Sequence, residues 1–168
     1  VSPRTDAMPA TIQDTPLLRT PVVVLCPPQH AASGRTDLTP FDLRDEPFVD
    51  LAQPWWLRQQ FDAAFHRAEL KRRPRIQLSQ WHTALDVARS TGRLTYGPLA
   101  AVPAEGPSGL QVAHLADAPS YDFAVLHSTA RPVSEATRAL LAAFSEVSDR
   151  RSHGPAHDGQ ADRVGAPR

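Results

Sequence analysis

Two adjacent pairs hold most of the ring chemistry that this chain can direct at a ligand: Trp55 with Trp56, and Trp81 with His82. Indole offers a large apolar face with a single N–H donor, and imidazole adds a polar ring, so such pairs suit the walls of a cleft. Each pair stands where a helix is expected to begin. The unpaired amides of a helix N-terminus favour an anion, so the combination suits an anion with an apolar body. The blander alternative is that at least one indole of each pair is ordinary core packing; the sharper one is that an indole from each pair reaches the cleft.

Other combinations lead to plainer readings. Asp45 and Glu46, or Asp42 and Glu46 on one face of a turn, are the residue types of an acid and base pair. The neighbouring Arg44 makes a solvated charged turn the preferred reading. His153 and His157 have i, i+4 spacing, but Gly154 and Pro155 break the helix that would present both rings to a metal. Ser90, Ser108 and Ser120 lack the strained strand-to-helix turn that exposes a nucleophilic serine, and no glycine-rich loop opens a helix. No catalysis, metal or cofactor is expected. Lys71, Arg72, Arg73 and Arg75 form the one basic run, read as phosphate contacts or, more simply, as the solvated end of a helix. Cys26 is the one cysteine, which excludes an internal disulfide, and its place after Val22, Val23, Val24 and Leu25 predicts a buried thiol.

The elements explain why those rings should meet. Thr39 caps a helical turn opened by Pro40, and Arg44, Asp45 and Glu46 lead into a strand from Pro47 to Leu51. From Trp55 to Leu70 the apolar residues Leu57, Phe61, Ala64, Phe65 and Ala68 recur at helical intervals, largely opposite Arg58, Gln59, Asp62, His66 and Glu69. Lys71 to Arg73 complement the end of that helix and Pro74 stops it. A second strand, Arg75 to Ser79, precedes a helix with Trp81, Ala84, Leu85 and Ala88 on one side, Ser79 or Thr83 as its cap and Gly92 as its end. Leu94 to Gly97 is a third strand. Strand–helix–strand units of this length default to right-handed crossovers in a parallel sheet, whose ligands sit beyond the carboxyl ends of the strands. The candidate site is therefore Asp50, Leu51, Trp55 and Trp56 after the first strand, Gln80, Trp81 and His82 after the second, and Thr95 and Tyr96 at the end of the third.

Around this unit, Pro21 to Cys26 is apolar at nearly every position and reads as a strand needing partners on both sides. Leu110, Val112 and Leu115 suggest another strand. Tyr121 to Ser128 reads as a strand covered on both faces. Pro132 and Ser134 start a helix to about Val147, with Ala136, Leu140, Ala143, Phe144 and Val147 on its buried side.

The order Pro27, Pro28, Gln29, His30, then Gly34 and Arg35, then Leu43, Asp45, Glu46, Pro47, Phe48 and Val49 resembles the effector-binding domain of bacterial LysR-type transcriptional regulators. The likeness continues through Pro98 and through Arg131, Pro132, Ser134, Ala136, Arg138 and Leu141, so it spans roughly Pro16 to Val147. It implies an α/β fold: a three-layer periplasmic-binding-protein-like lobe of type 2, part of an incomplete two-lobed domain, with most of the first lobe lacking a counterpart. It also implies a small effector bound between lobes and closure transmitted to a winged helix-turn-helix, which nothing before Pro16 resembles. Members usually carry two glycines flanking one apolar residue before the third strand. Here Thr91 and Arg93 flank Gly92 instead.

The whole-chain numbers set the remaining expectations. With 168 residues, 41% of them hydrophobic, one domain with a core is expected, and 17 prolines point to loops and tails. Residues 1–15 and 149–168 are expected to be disordered, bracketing a partial effector-binding domain at 16–148. Lys and Arg together number 18, as do Asp and Glu, so no net charge draws the chain to DNA or to an anionic membrane. Cytoplasmic residence, no membrane and no direct DNA binding are expected. The expected partners are a small organic effector and either a second copy or a full-length regulator. The alternatives are a stand-alone solute-binding or protein-interaction module, and an inert truncated fragment. With first-lobe strands missing, Pro21 to Cys26 is expected to leave a sheet edge or face uncovered and to promote association.

Overall fold

The computed structural model describes residues 11–53, 55–72, 75–103, 109–130 and 132–152, with the side chains of 145–152 excepted. The elements are β1 (Ile12–Cys26), β2 (Val49–Leu51), α1 (Trp56–Arg67), β3 (Ile76–Leu78), α2 (Trp81–Thr91), β4 (Thr95–Pro98), β5 (Gln111–His114), β6 (Ser120–Ser128) and α3 (Glu135–Ser152). They fall into two compact units. One covers Arg19–Phe123 and the other covers residues 11–18 and 124–152 among those described.

In the larger unit β2 and β3 pair in parallel, Val49 with Ile76 through Leu51 with Leu78. A parallel bridge between Phe48 and Leu94 continues this ladder to the start of β4. The order is therefore β3, β2, β4, with α1 and α2 as the crossovers, and the parallel arrangement follows the expectation from the sequence. The sheet then reverses. β1 runs antiparallel to β4 on one side, Val22 opposite Pro98 through Leu25 opposite Thr95, and antiparallel to β5 on the other.

That pairing corrects the expected uncovered strand. Val22, Val23, Val24, Leu25 and Cys26 are all fully buried, because β4 and β5 occupy both edges and the core closes over both faces. The chain's own later strands occupy both edges of β1.

The core of this unit joins the β1 run to Leu38, Leu43, Phe48, Val49, Leu51, Leu57, Phe61, Phe65, Leu94 and Tyr96. Each fully buried side chain of this kind contributes about 1.5–3 kcal/mol. α1 presents Leu57, Phe61, Ala64 and Phe65 to it, as their spacing requires. The helix is shorter than expected, ending at Arg67 rather than Leu70. It closes in a Schellman arrangement: the Leu70 amide bonds to the Phe65 carbonyl and the Glu69 amide to the His66 carbonyl, while Glu69 takes the left-handed conformation at φ 58°. α2 ends at Gly92 with φ 67°, as anticipated, and the Arg93 amide reaches the Ala88 carbonyl. Its N-cap is Gln80 and makes no side-chain cap bond, so neither Ser79 nor Thr83 fills that role.

Two further expectations fail. β6 is only half covered, with exposed and partly buried positions alternating over much of its length and Leu126 41% exposed, rather than closed on both faces. α3 does not bury its apolar side among the described residues, since Ala136, Leu140, Ala143 and Phe144 are all exposed. Thr137 and Leu141 are the half-buried positions instead. Among the described residues the helix turns a mixed face inward and leaves its apolar stripe exposed. β1 begins at Ile12 and α3 reaches Ser152, so regular structure overlaps both segments expected to be disordered. Residues 1–10 and 153–168, including His153 and His157, lie outside the described residues.

Candidate ligand-binding edge

Because β2, β3 and the start of β4 are parallel, their carboxyl ends face the same way, and α1 and α2 both begin there. Neither helix has a side-chain cap: Trp55 and Gln80 occupy the N-cap positions and contribute no cap bond. Helix amides without an internal partner thus stand at this edge beside the tryptophans.

The proposed residues divide by burial. Trp55 is 42% exposed, and Gln80 and His82 are also exposed. Trp56 and Trp81 are half-buried. The Trp56 ring stands edge-on to Tyr121 with centroids 5.2 Å apart. Trp81 donates its Nε1–H to the Tyr96 carbonyl at 2.9 Å and packs edge-on to His82 at 5.5 Å. Its indole lies against the backbone of Gly97, where a Cβ would come within 2.4 Å of the ring. Gly97 is therefore required by Trp81, and the pair fixes the start of α2 on the end of β4.

Asp50, Leu51, Thr95 and Tyr96 are no more than 1% exposed. They lie beneath the edge rather than on it. Tyr96 stacks on Phe61 with centroids 3.9 Å apart, and its hydroxyl is buried beside the Asp50 carboxylate. Burial, reinforced by the charge of Asp50, pushes its pKa well above the ordinary phenol value.

Asp50 belongs to a buried ionic cluster that sequence reasoning missed. Arg72 donates to both Asp50 carboxylate oxygens, at 2.7 and 2.6 Å, and to Asp62 at 2.7 Å. Arg58 bonds to Asp62 and to the Leu51 carbonyl at 2.9 Å. The Arg72 guanidinium also sits 4.6 Å from the Phe48 centroid, 4.7 Å from Phe61 and 5.2 Å from both Phe65 and Tyr96. The i, i+4 spacing of Arg58 and Asp62 was visible in the sequence. Arg72, 22 residues from Asp50, read as part of a basic run, either a phosphate contact or the solvated end of a helix, and not as the partner of a buried carboxylate.

The acidic turn has separate partners, which removes it from consideration as a catalytic pair. Asp42 accepts from the Thr39 hydroxyl at 2.6 Å and the Thr39 amide at 2.8 Å, which lowers its pKa to about 2. Asp45 pairs with Arg44. Glu46 accepts from His30 Nε2 at 3.1 Å; His30 Nδ1 accepts the Ala32 amide, so Nε2 carries the proton. Among the described residues no group of His, Cys, Asp and Glu is arranged to hold a metal, and no helix is long and apolar enough to cross a membrane.

Residues 4–149 match the LysR substrate binding domain. The chain belongs to that family. The structure is similar to the regulatory domain of CcmR from Synechocystis PCC6803, solved in complex with 2-PG, with a TM-score of 0.72, 20% identity, and coverage of 90% of this chain and 74% of that one. It is also similar to HinK, a LysR family transcriptional regulator from Pseudomonas aeruginosa, with a TM-score of 0.70 and 16% identity over 85% of this chain. The effector binding domain of QuiR, solved in complex with shikimate, gives a TM-score of 0.65 and 14% identity, covering 83% of this chain and 66% of that one. No curated protein matches the chain by sequence. The fold is thus that of LysR substrate-binding domains, of the periplasmic-binding-protein-like type 2. The chain spans 50% of the length of HinK.

Proposed function

We propose that this chain is an effector-binding regulatory domain that holds a small organic anion at the edge formed by the start of α1 and the start of α2. The observation that carries the reading is the gathering of two uncapped helix N-termini with Trp55, Trp56, Trp81 and His82 at the carboxyl ends of parallel strands. The complexes of CcmR with 2-PG and of QuiR with shikimate support a small molecule as the ligand class. In this reading Trp55, Gln80 and His82 meet the ligand directly, Trp56 and Trp81 form the inner wall, and Asp50, Leu51, Thr95 and Tyr96 support them from below. The partial domain proposed at 16–148 supplies one side of the cleft. Transmission to a DNA-reading module, pairing with a second copy or a longer regulator, and cytoplasmic residence go with this reading, which contains no catalytic step.

A thermal-shift screen of small organic acids, followed by tryptophan emission on the hits, tests it. Trp55→Ala is the informative variant, because its exposed ring has the least structural work. It should weaken binding by about 1–3 kcal/mol, the worth of burying one large apolar side chain, and leave the melting temperature unchanged. Trp81→Phe should reduce the emission response. A confirmed ligand that leaves emission unaltered and tolerates Trp55→Ala, Gln80→Ala and His82→Ala together would place the site elsewhere.

A further inference from the structure

The opposite edge of the same sheet carries a second feature. The amino ends of β2, β3 and β4 surround a cavity of about 600 Å³, lined by Arg44, Lys71, Arg72, Arg75 and Arg93 as well as by Asp45, Glu46, Asp50 and Phe48. Its volume falls within the range of small-molecule sites. The cations come from three separate stretches. The parallel pairing of β2 with β3, and of Phe48 with Leu94, brings those stretches to one rim.

The charges there are unevenly satisfied. Arg44 pairs with Asp45, Arg72 with Asp50, and Glu46 with His30. Among the described residues Lys71, Arg75 and Arg93 have no carboxylate partner, and the buried Nε of Arg72 has no hydrogen-bond acceptor. Two helices end near this rim, and each C-terminus brings roughly half a negative charge. Five cations against three carboxylates exceed that opposing charge, so the cavity stays electropositive. Lys71 and Arg75 are exposed and Arg93 is half-buried, which leaves their head groups available to a ligand.

We infer that this cavity is a second ligand site, separate from the effector edge, for a small multivalent anion. A monovalent carboxylate engages one cation and gains little against water and salt. An anion bearing several charges spans Lys71, Arg75 and Arg93 at once and acquires charge-assisted hydrogen bonds from each. The Arg72–Asp50 pair forms a fixed floor, since both side chains are buried and held by Asp62 and the aromatic rings.

The test is calorimetric titration of the chain at low ionic strength with inorganic pyrophosphate, repeated with citrate to distinguish a phosphate from a polycarboxylate source. Saturable binding of either anion is expected. Affinity should fall at least about tenfold in the Arg75→Gln, Arg93→Gln double variant. It should be retained in Arg75→Lys, Arg93→Lys and unaffected by Trp55→Ala. Absence of saturable binding to either anion, or binding that survives the double glutamine substitution, overturns the inference. Loss through Trp55→Ala overturns it too, by assigning the anion to the effector edge.

Discussion

Arg72 shows how much one side chain can carry that its neighbours in sequence do not announce. Its guanidinium is almost fully buried, doubly bonded to Asp50, bonded to Asp62 and surrounded by four aromatic rings. Burying such a pair has a desolvation cost that offsets much of the attraction, so the pair adds little net stability. Removing one partner strands the other charge. Arg72→Ala should therefore destabilise the chain by about 3–5 kcal/mol in urea unfolding, more than a surface arginine ever does. A loss under 1 kcal/mol would mean that Asp50 finds another counter-charge, with Arg58, 3.7 Å away, as the nearest. Cys26 makes the opposite case, where the sequence did suffice. Burial, with a smaller contribution from Glu46, raises its pKa to about 11. Since the unfolded thiol ionises about two units lower and the native one is fully buried, the native thiol at pH 8 should react with a soluble disulfide reagent at least about a hundredfold more slowly than the thiol in urea. Because the native thiol holds its proton to higher pH than the unfolded one, its contribution to stability is complete at neutral pH and is lost as pH rises from about 9 towards 11. Equal rates in native and unfolded protein would contradict this placement.

At the scale of elements, periodicity revealed existence and type but not surroundings. The 3.6-residue pattern of α1 and the left-handed Gly92 after α2 were readable because each depends on residues close in sequence. Which face of α3 is covered depends on what else the chain brings there, and the pattern alone pointed to Leu140 and Phe144. Both are exposed, at 56% and 44%. A stripe this exposed among the described residues contributes little to stability, so Leu140→Gln with Phe144→Gln should change unfolding free energy by no more than about 0.5 kcal/mol. The same substitutions should reduce fluorescence of a bound hydrophobic dye such as ANS, because exposed contiguous apolar surface is what the dye reports. Destabilisation by about 2 kcal/mol or more would show the stripe to be buried in solution.

For the whole molecule, topology is what turns ordinary residues into two opposed edges. One parallel register sends the helix starts with their tryptophans to one end of β2, β3 and β4, and the strand starts with their arginines to the other. The first edge was legible because strand, helix and strand occur in order along the chain. The second was not, because Arg44, the 71–75 run and Arg93 meet only once the strands pair. This separation also decides how the chain should treat DNA. Its 18 basic and 18 acidic residues cancel, and the cations gathered by the strand starts among the described residues line a recess rather than a ridge following a groove. Phosphates fixed along a duplex reach at most the rim cations Lys71, Arg75 and Arg93 of a recess that a small anion fills, and each such contact is weakened steeply by salt. These 168 residues should therefore give no shift in duplex fluorescence anisotropy at about 150 mM salt and micromolar protein, a regime where specific binders saturate. Any residual signal at low salt should be competed away by pyrophosphate and abolished in the Arg75→Gln, Arg93→Gln variant. Salt-resistant binding that survives that variant would require a nucleic-acid surface outside the recess and overturn the prediction.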